Sequence, residues 1–488
     1  MANCSTGVTG LDEILAGGLA HGRLFLLEGA PGAGKTTIAT QFLMAGADAG
    51  ERVLYITLSE TEDELRDGAA SHGWHFAPSF EVFELVPLES LLDEQQQQSL
   101  LYSSDLELGE TTKRIFEVFE RVKPSRVVLD SLSEIRLLAQ SSLRYRRQIL
   151  SLKHYFSRQN ATVLMLDDLT ADVLDKTVHS VAHAVIRLEE LSPNYGAERR
   201  RMRVLKYRGR KYRGGYHDFV IDTGGIRVFP RLVSAEYRTD FSRETVAIDN
   251  EALNGLVGGG FERGASTLIL GPAGTGKSLL ALSFVKAAAA RGEKAAMFIF
   301  DEELGLLVDR ARKLDIDLPA MIESGNLVIE QIDAAELTPG EFSQRVRICV
   351  ENNRARTVII DSLNGYQSAM PEEHALILHM HELLQYLNRQ GVMTFLTVAQ
   401  HGLVGDMKSP VDVTYLADTV ILLRYFEAMG RVRRAISVVK KRTGHHEDTI
   451  REFMIGSSGI TVGEPLTAFQ GVLRGVPNLV GDGAGLLE

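Results

Sequence analysis

Two octapeptides in this chain carry the residue types that hold a polyphosphate. Gly29, Ala30, Pro31, Gly32, Ala33, Gly34, Lys35 and Thr36 fit the pattern GxxxxGK[ST]. Gly271, Pro272, Ala273, Gly274, Thr275, Gly276, Lys277 and Ser278 fit it again. In such a loop the backbone N–H groups turn inward around the phosphates, and glycines permit that conformation. The next helix adds the positive end of its dipole, with Thr37 and Leu279 as the following candidate contacts. Lys35 and Lys277 are placed to bridge the β- and γ-phosphates, and Thr36 and Ser278 to give a hydroxyl to Mg²⁺. The expected cofactors are ATP and Mg²⁺. Two strand-end carboxylates complete a magnesium shell: Asp130 after the apolar run 126–129, and Asp361 after 357–360.

Each loop needs a strand before it and a helix after it. Residues 23–27 and 266–270 are short apolar runs suited to buried parallel strands, and 37–47 and 279–290 have helical patterns. Further apolar runs follow at 53–58, 126–129 and 163–166 in the first half, and at 297–300, 358–360 and 394–398 in the second. Strands alternating with helices predict α/β folds, each a mostly parallel sheet flanked by helices. A hairpin is expected near the end of each half, 184–188 with 203–207 and 419–423 with 435–439.

The two lysines lie 242 residues apart (277 − 35), and at that spacing Gly17-Gly18 falls on Gly259-Gly260, Gly50 on Gly292 and Glu60 on Glu302. Shared register at several points reads as a duplication. The expected organisation is a first domain over 1–230, a linker over 231–246, a second domain over 247–470 and a tail over 471–488. Gln95 to Gln98 are expected in a solvated loop.

Composition excludes several classes. A chain of 488 residues is too long for one core, and 44% hydrophobic with 24% charged residues is ordinary for a globular protein. A net charge of −11 does not suit indiscriminate binding to nucleic acid or anionic membrane. Only Cys4 and Cys349 occur, which rules out a disulfide framework or a cysteine zinc site. No secretory leader or stretch of about 20 apolar residues is evident, so a cytoplasmic protein is expected.

Hydrolysis needs a group that orients the attacking water. In RecA-type ATPases, which these halves resemble, it is a glutamate ending the strand after the P-loop helix. Glu60 stands there in the first half, and Asp301 and Glu302 in the second. The plainer alternative is a set of solvated strand-end acids. Lys206 with Arg208 and Lys440 with Arg442 are two Lys-x-Arg pairs, one per half. Alternate residues of a strand face one side. Each pair is therefore a candidate cation finger for a neighbouring subunit's γ-phosphate; a solvated basic hairpin is the alternative. The basic run 199–213 and the loop at Gln400-His401-Gly402 leave open a recombinase- or helicase-like nucleic-acid binder, disfavoured by net charge. A third reading is a scaffold in which ATP acts as structural glue.

Together the double P-loops, the Gly17-Gly18 and Gly259-Gly260 entries, the strand-end glutamates, the two Asp-Ser-Leu triplets and the Lys-x-Arg pairs resemble the KaiC family. Residues 450–455, Ile-Arg-Glu-Phe-Met-Ile, carry the likeness near the end of the second half. The resemblance implies two tandem RecA-like domains and a homohexameric double ring with ATP between subunits. It also implies slow ATPase activity in the first ring and, in the clock proteins, autokinase and autophosphatase activity in the second. A regulatory protein partner is expected, with no membrane. The family's phosphorylated pair falls on Thr414 and Tyr415, and a nearby site on Ser409; the alternative for Thr414 is a simple loop residue. Where the clock proteins have paired glutamates, this chain has Ser59-Glu60 and Asp301-Glu302.

Overall fold

The computed structural model describes residues 3–85, 100–169, 177–192, 196–370, 373–400, 414–428, 430–456, 459–474 and 478–479. By its internal contacts the chain divides into two units, Met1–Arg231 and Leu232–Glu488. Each is a RecA-like α/β domain built on one nine-stranded sheet.

In the first unit the strands lie in the order Gly225–Phe229, His217–Asp222, Arg199–Tyr207, Ala184–Leu191, Leu24–Gly29, Thr162–Asp168, Arg126–Asp130, Val53–Thr57 and Phe80–Glu84. The six from Ala184–Leu191 onward are parallel; the first three join antiparallel. The P-loop strand Leu24–Gly29 is central and wholly buried, which is why Leu24 to Leu27 read as an unbroken apolar run. One core layer packs Phe25, Leu27, Ile38, Phe42 and Tyr55 on one face; the other packs Leu26, Ile56, Leu129, Ile149 and Met165.

The second unit repeats the plan, in the order Leu327–Gln331, Lys294–Ile299, Ala355–Asp361, Met393–Ala399, Ser266–Gly271, Thr419–Ala428, Arg431–Lys441, Arg451–Gly456 and Gly459–Pro465. Residues 232–246 belong to this unit. Leu232 lies in its core, Tyr237 packs edge-on against Tyr386 at 5.3 Å, and Thr245–Val246 pairs with Phe261–Glu262. The predicted hairpins form in both units. The antiparallel sheets run further than expected, because His217–Asp222 with Gly225–Phe229 and Arg451–Gly456 with Gly459–Pro465 extend them. Gln95 to Gln98, Ser409, His401 and Gly402 fall outside the described residues.

Candidate nucleotide sites

Each P-loop leaves the C-terminal end of the central strand and enters a buried helix, Lys35–Asp48 or Lys277–Ala290. The residues before these helices, Gly34 and Gly276, have φ of 96° and 103°, a region that glycine alone enters without strain. A Cβ on Gly34 would also lie 2.9 Å from Ile221 Cδ1, so the loop is tightened against the hairpin. Neither helix has a side-chain N-cap or an acidic residue in its first turn. The helix Glu62–Ser71, by contrast, starts with a full Thr61–Glu64 capping box. Uncapped N–H groups at a positive dipole end suit a phosphate.

The lysines turn back over their own loops. Lys35 Nζ donates to Gly29 O at 3.0 Å and Ala30 O at 2.9 Å, and Lys277 Nζ to Gly271 O and Pro272 O, both at 2.9 Å. Burial pushes Lys277 below its ordinary range, with Asp361 opposing. Lys35 has an extra partner, Asp168 Oδ1 at 2.7 Å.

Asp130 and Asp361 end the strands next but one to the P-loop strands, at the same sheet edge. Burial raises Asp130 above the usual carboxylate range, with the Tyr55 hydroxyl, 2.6 Å from its Oδ2, opposing. Thr397 Oγ1 donates to Asp361 Oδ1. The donor set offered to a cation, Thr36 with Asp130 and Ser278 with Asp361, is all hard oxygen. That chemistry fits Mg²⁺, which completes its octahedron with water and phosphate oxygens.

The strand-end acids differ between halves. Burial and the adjacent Asp130 raise Glu60, whose carboxylate has no ion-pair partner among the described residues. Glu302 is paired with Arg310, and Asp301 Oδ2 accepts from Ser362 Oγ.

A model of the family described as "ATPase: KaiC" matches residues 4–233 and again 248–467. The chain belongs to the KaiC ATPase family. Among its relatives, the circadian clock protein KaiC3 of Synechocystis sp. is 27% identical, over 97% of this chain and 94% of that protein. The circadian clock oscillator protein KaiC of Synechococcus elongatus is 27% identical over 98% and 92%.

In this KaiC-family chain the Lys-x-Arg pairs sit on carbonyls of their own domain. Lys206 donates to His179 O and Arg208 to Ser180 O. Lys440 donates to Thr414 O at 2.8 Å and Ala417 O at 2.7 Å, and Arg442 to Tyr415 O at 2.6 Å. Thr414 is half-buried and Tyr415 exposed. The basic run 199–213 is partly neutralised: Arg200 pairs with Glu198 and Glu190, Arg201 and Arg203 with Glu189, and Arg213 with Glu13. Those pairs weaken the feature that suggested a nucleic-acid track. Among the described residues no helix is long and apolar enough to cross a membrane.

Sequence reasoning missed a buried charge cluster behind the first P-loop. Glu28 accepts from His179 Nε2 at 2.6 Å and Arg187 Nε at 2.7 Å, and Asp167 pairs with Arg136 at 2.6 Å. An acid immediately before Gly29 was the available signal. In the second half Leu270, Val398 and Leu422 take the places of Glu28, Asp167 and Arg187.

Proposed function

We propose that this KaiC-family ATPase is a Mg-ATP-dependent regulatory ring protein whose first domain is the hydrolytic one. The observation that carries the reading is the contrast between Glu60, unpaired among the described residues, and Glu302, held by Arg310. A carboxylate that is not already neutralised can accept a hydrogen bond from water and orient it toward the γ-phosphate. In both sites the P-loop lysine and helix N-terminus bind and orient the phosphates. A divalent cation held by Thr36 with Asp130 in the first site, or by Ser278 with Asp361 in the second, would supply charge neutralisation at the phosphates.

Assembly into a homohexamer follows as part of the same proposal. Lys206 with Arg208 and Lys440 with Arg442 then serve as fingers toward the next subunit's nucleotide. In the second domain Thr414 is the proposed phosphoacceptor and Ser409 the alternative one. Lys440 holds the Thr414 carbonyl, so the proposed finger and the proposed acceptor lie side by side.

Purified chain incubated with γ-labelled ATP tests this. Phosphate release is expected to survive Lys277→Ala and to fall to background in Lys35→Ala. Equal loss in both would sink the division of labour, and no release above the double variant would sink the enzymatic reading. Label retained on protein and lost in Thr414→Ala would support the acceptor; full retention would refute it.

A further inference from the structure

Each aspartate proposed to hold a cation receives one buried hydroxyl, but from opposite sides of its strand. In the first domain the donor is Tyr55, on the neighbouring strand Val53–Thr57 and fully buried. Its Oη gives its proton to Asp130 Oδ2 at 2.6 Å and lies beside the Thr36 side chain. One phenol therefore serves Asp130 directly and neighbours Thr36, the other protein group of the proposed cation site. In the second domain the matching residue is Met297, which has no proton to give. Tyr55 stands opposite Val128, two residues before Asp130, and Met297 opposite Ile359, two residues before Asp361.

The second aspartate is served instead from the other neighbour. Thr397, on Met393–Ala399, donates to Asp361 Oδ1. The corresponding position in the first domain is Leu166, one residue beyond Met165, which stands opposite Leu129; Thr397 likewise follows Leu396, opposite Ile360. The exchange is complete: Tyr for Met on one side, Leu for Thr on the other.

A buried carboxylate has lone pairs in two directions, and a fixed donor on one oxygen leaves the other aimed at the site. A hydroxyl that gives its lone pair to a cation must also place its proton elsewhere. The neighbouring Tyr55 Oη offers a lone pair for that purpose. We propose that Tyr55 and Thr397 are positioning residues for the divalent cation, Tyr55 in the first site and Thr397 in the second. This rests on the Mg-ATP reading above.

The test uses the full chain with one P-loop disabled, and Mn²⁺ as a spectroscopic stand-in for Mg²⁺. Bound Mn²⁺ is counted by electron paramagnetic resonance at saturating ATP, and affinity for a fluorescent ATP is measured in EDTA. In the Lys277→Ala chain, Tyr55→Phe is expected to raise half-saturating Mn²⁺ roughly tenfold, the usual scale for losing an outer-shell partner. Its ATP affinity in EDTA should stay within twofold, since the phenyl ring still fills the core. Adding Leu166→Thr, which supplies the second domain's hydroxyl, should recover much of the loss. In the Lys35→Ala chain, Thr397→Val should raise half-saturating Mn²⁺ similarly. Should Tyr55→Phe misfold, the Thr397→Val titration decides. Mn²⁺ titrations that match the parents overturn the inference. Failure of both parents to bind ATP would instead remove the Mg-ATP reading itself.

Discussion

Lys35 Nζ lies 2.7 Å from Asp168 Oδ1, and Ala399 occupies the matching register position beside the second P-loop. An arriving phosphate must therefore draw Lys35 from a carboxylate in the first site, whereas Lys277 is held by carbonyls alone among the described residues. The lysine side chain is 9% exposed and the aspartate 28%, so the pair is partly screened. Asp168→Ala in the Lys277→Ala chain is expected to tighten nucleotide binding about two- to fivefold, the scale of a partly exposed ion pair. A fluorescent ADP titration reads this. Weaker binding would mean that Asp168 serves the bound nucleotide rather than competing with it.

The ion pair between Arg310 and Glu302 is the second asymmetry. Gly68 stands 242 residues before Arg310 (310 − 68), the same spacing as the two lysines, so the first domain has no equivalent cation. Arg310→Ala releases Glu302 to water. In the Lys35→Ala chain, where release is expected at background, it should lift phosphate release measurably above the Lys35→Ala/Lys277→Ala double variant. An unchanged rate would show that Arg310 is not what restrains the second site.

Much of this was legible in the residues. The octapeptides, the strand before each and the helix after each follow from local chemistry: glycine where φ is positive, unbroken apolar runs where a strand is covered on both faces. The 242-residue register then placed Glu60 and Glu302 at equivalent strand ends. It could not reveal that Arg310 reaches Glu302, because an i, i+8 pair across a turn depends on how the helix Leu304–Arg312 packs. Tyr55 read as core because it is core; its hydroxyl matters only once Asp130 is alongside. Glu28 lies 151 residues from His179 (179 − 28) and 159 from Arg187 (187 − 28), so only the sheet's crossover order brings them together.

That cluster makes a stability prediction. Glu28 is 2% exposed and is compensated by Arg187 and His179, each about a quarter exposed. Removing Arg187 alone leaves a buried carboxylate short of a partner, which costs about 3 kcal/mol on the usual scale. Removing both charges recreates the arrangement of Leu270 and Leu422 in the second half. Urea unfolding of the first domain should show Arg187→Leu as more destabilising than the double variant Glu28→Leu/Arg187→Leu. If the double variant is the worse, the cluster stabilises the fold beyond its mutual compensation.

Each domain also holds a buried neutral histidine. His217 Nε2 donates to Arg213 O at 3.0 Å, and its Nδ1 accepts from Arg231 N at 2.9 Å. His379 is enclosed by Tyr366 Oη at 2.7 Å and Ser343 Oγ at 2.9 Å. Burial pushes both down to about 4. A base whose folded pKa is depressed binds fewer protons folded than unfolded. Its stabilisation is fully present above the unfolded value near 6.5 and is lost as pH falls toward 4. The cost is on the order of 3 kcal/mol per histidine at full protonation. Denaturant unfolding should therefore be nearly flat from pH 8 to 7 and fall through pH 6.5 to 4.5. The double variant His217→Gln/His379→Gln, which cannot take up these protons, should be less stable at pH 7.5 but lose less on acidification. Equal slopes in variant and parent would show that neither histidine carries the acid sensitivity.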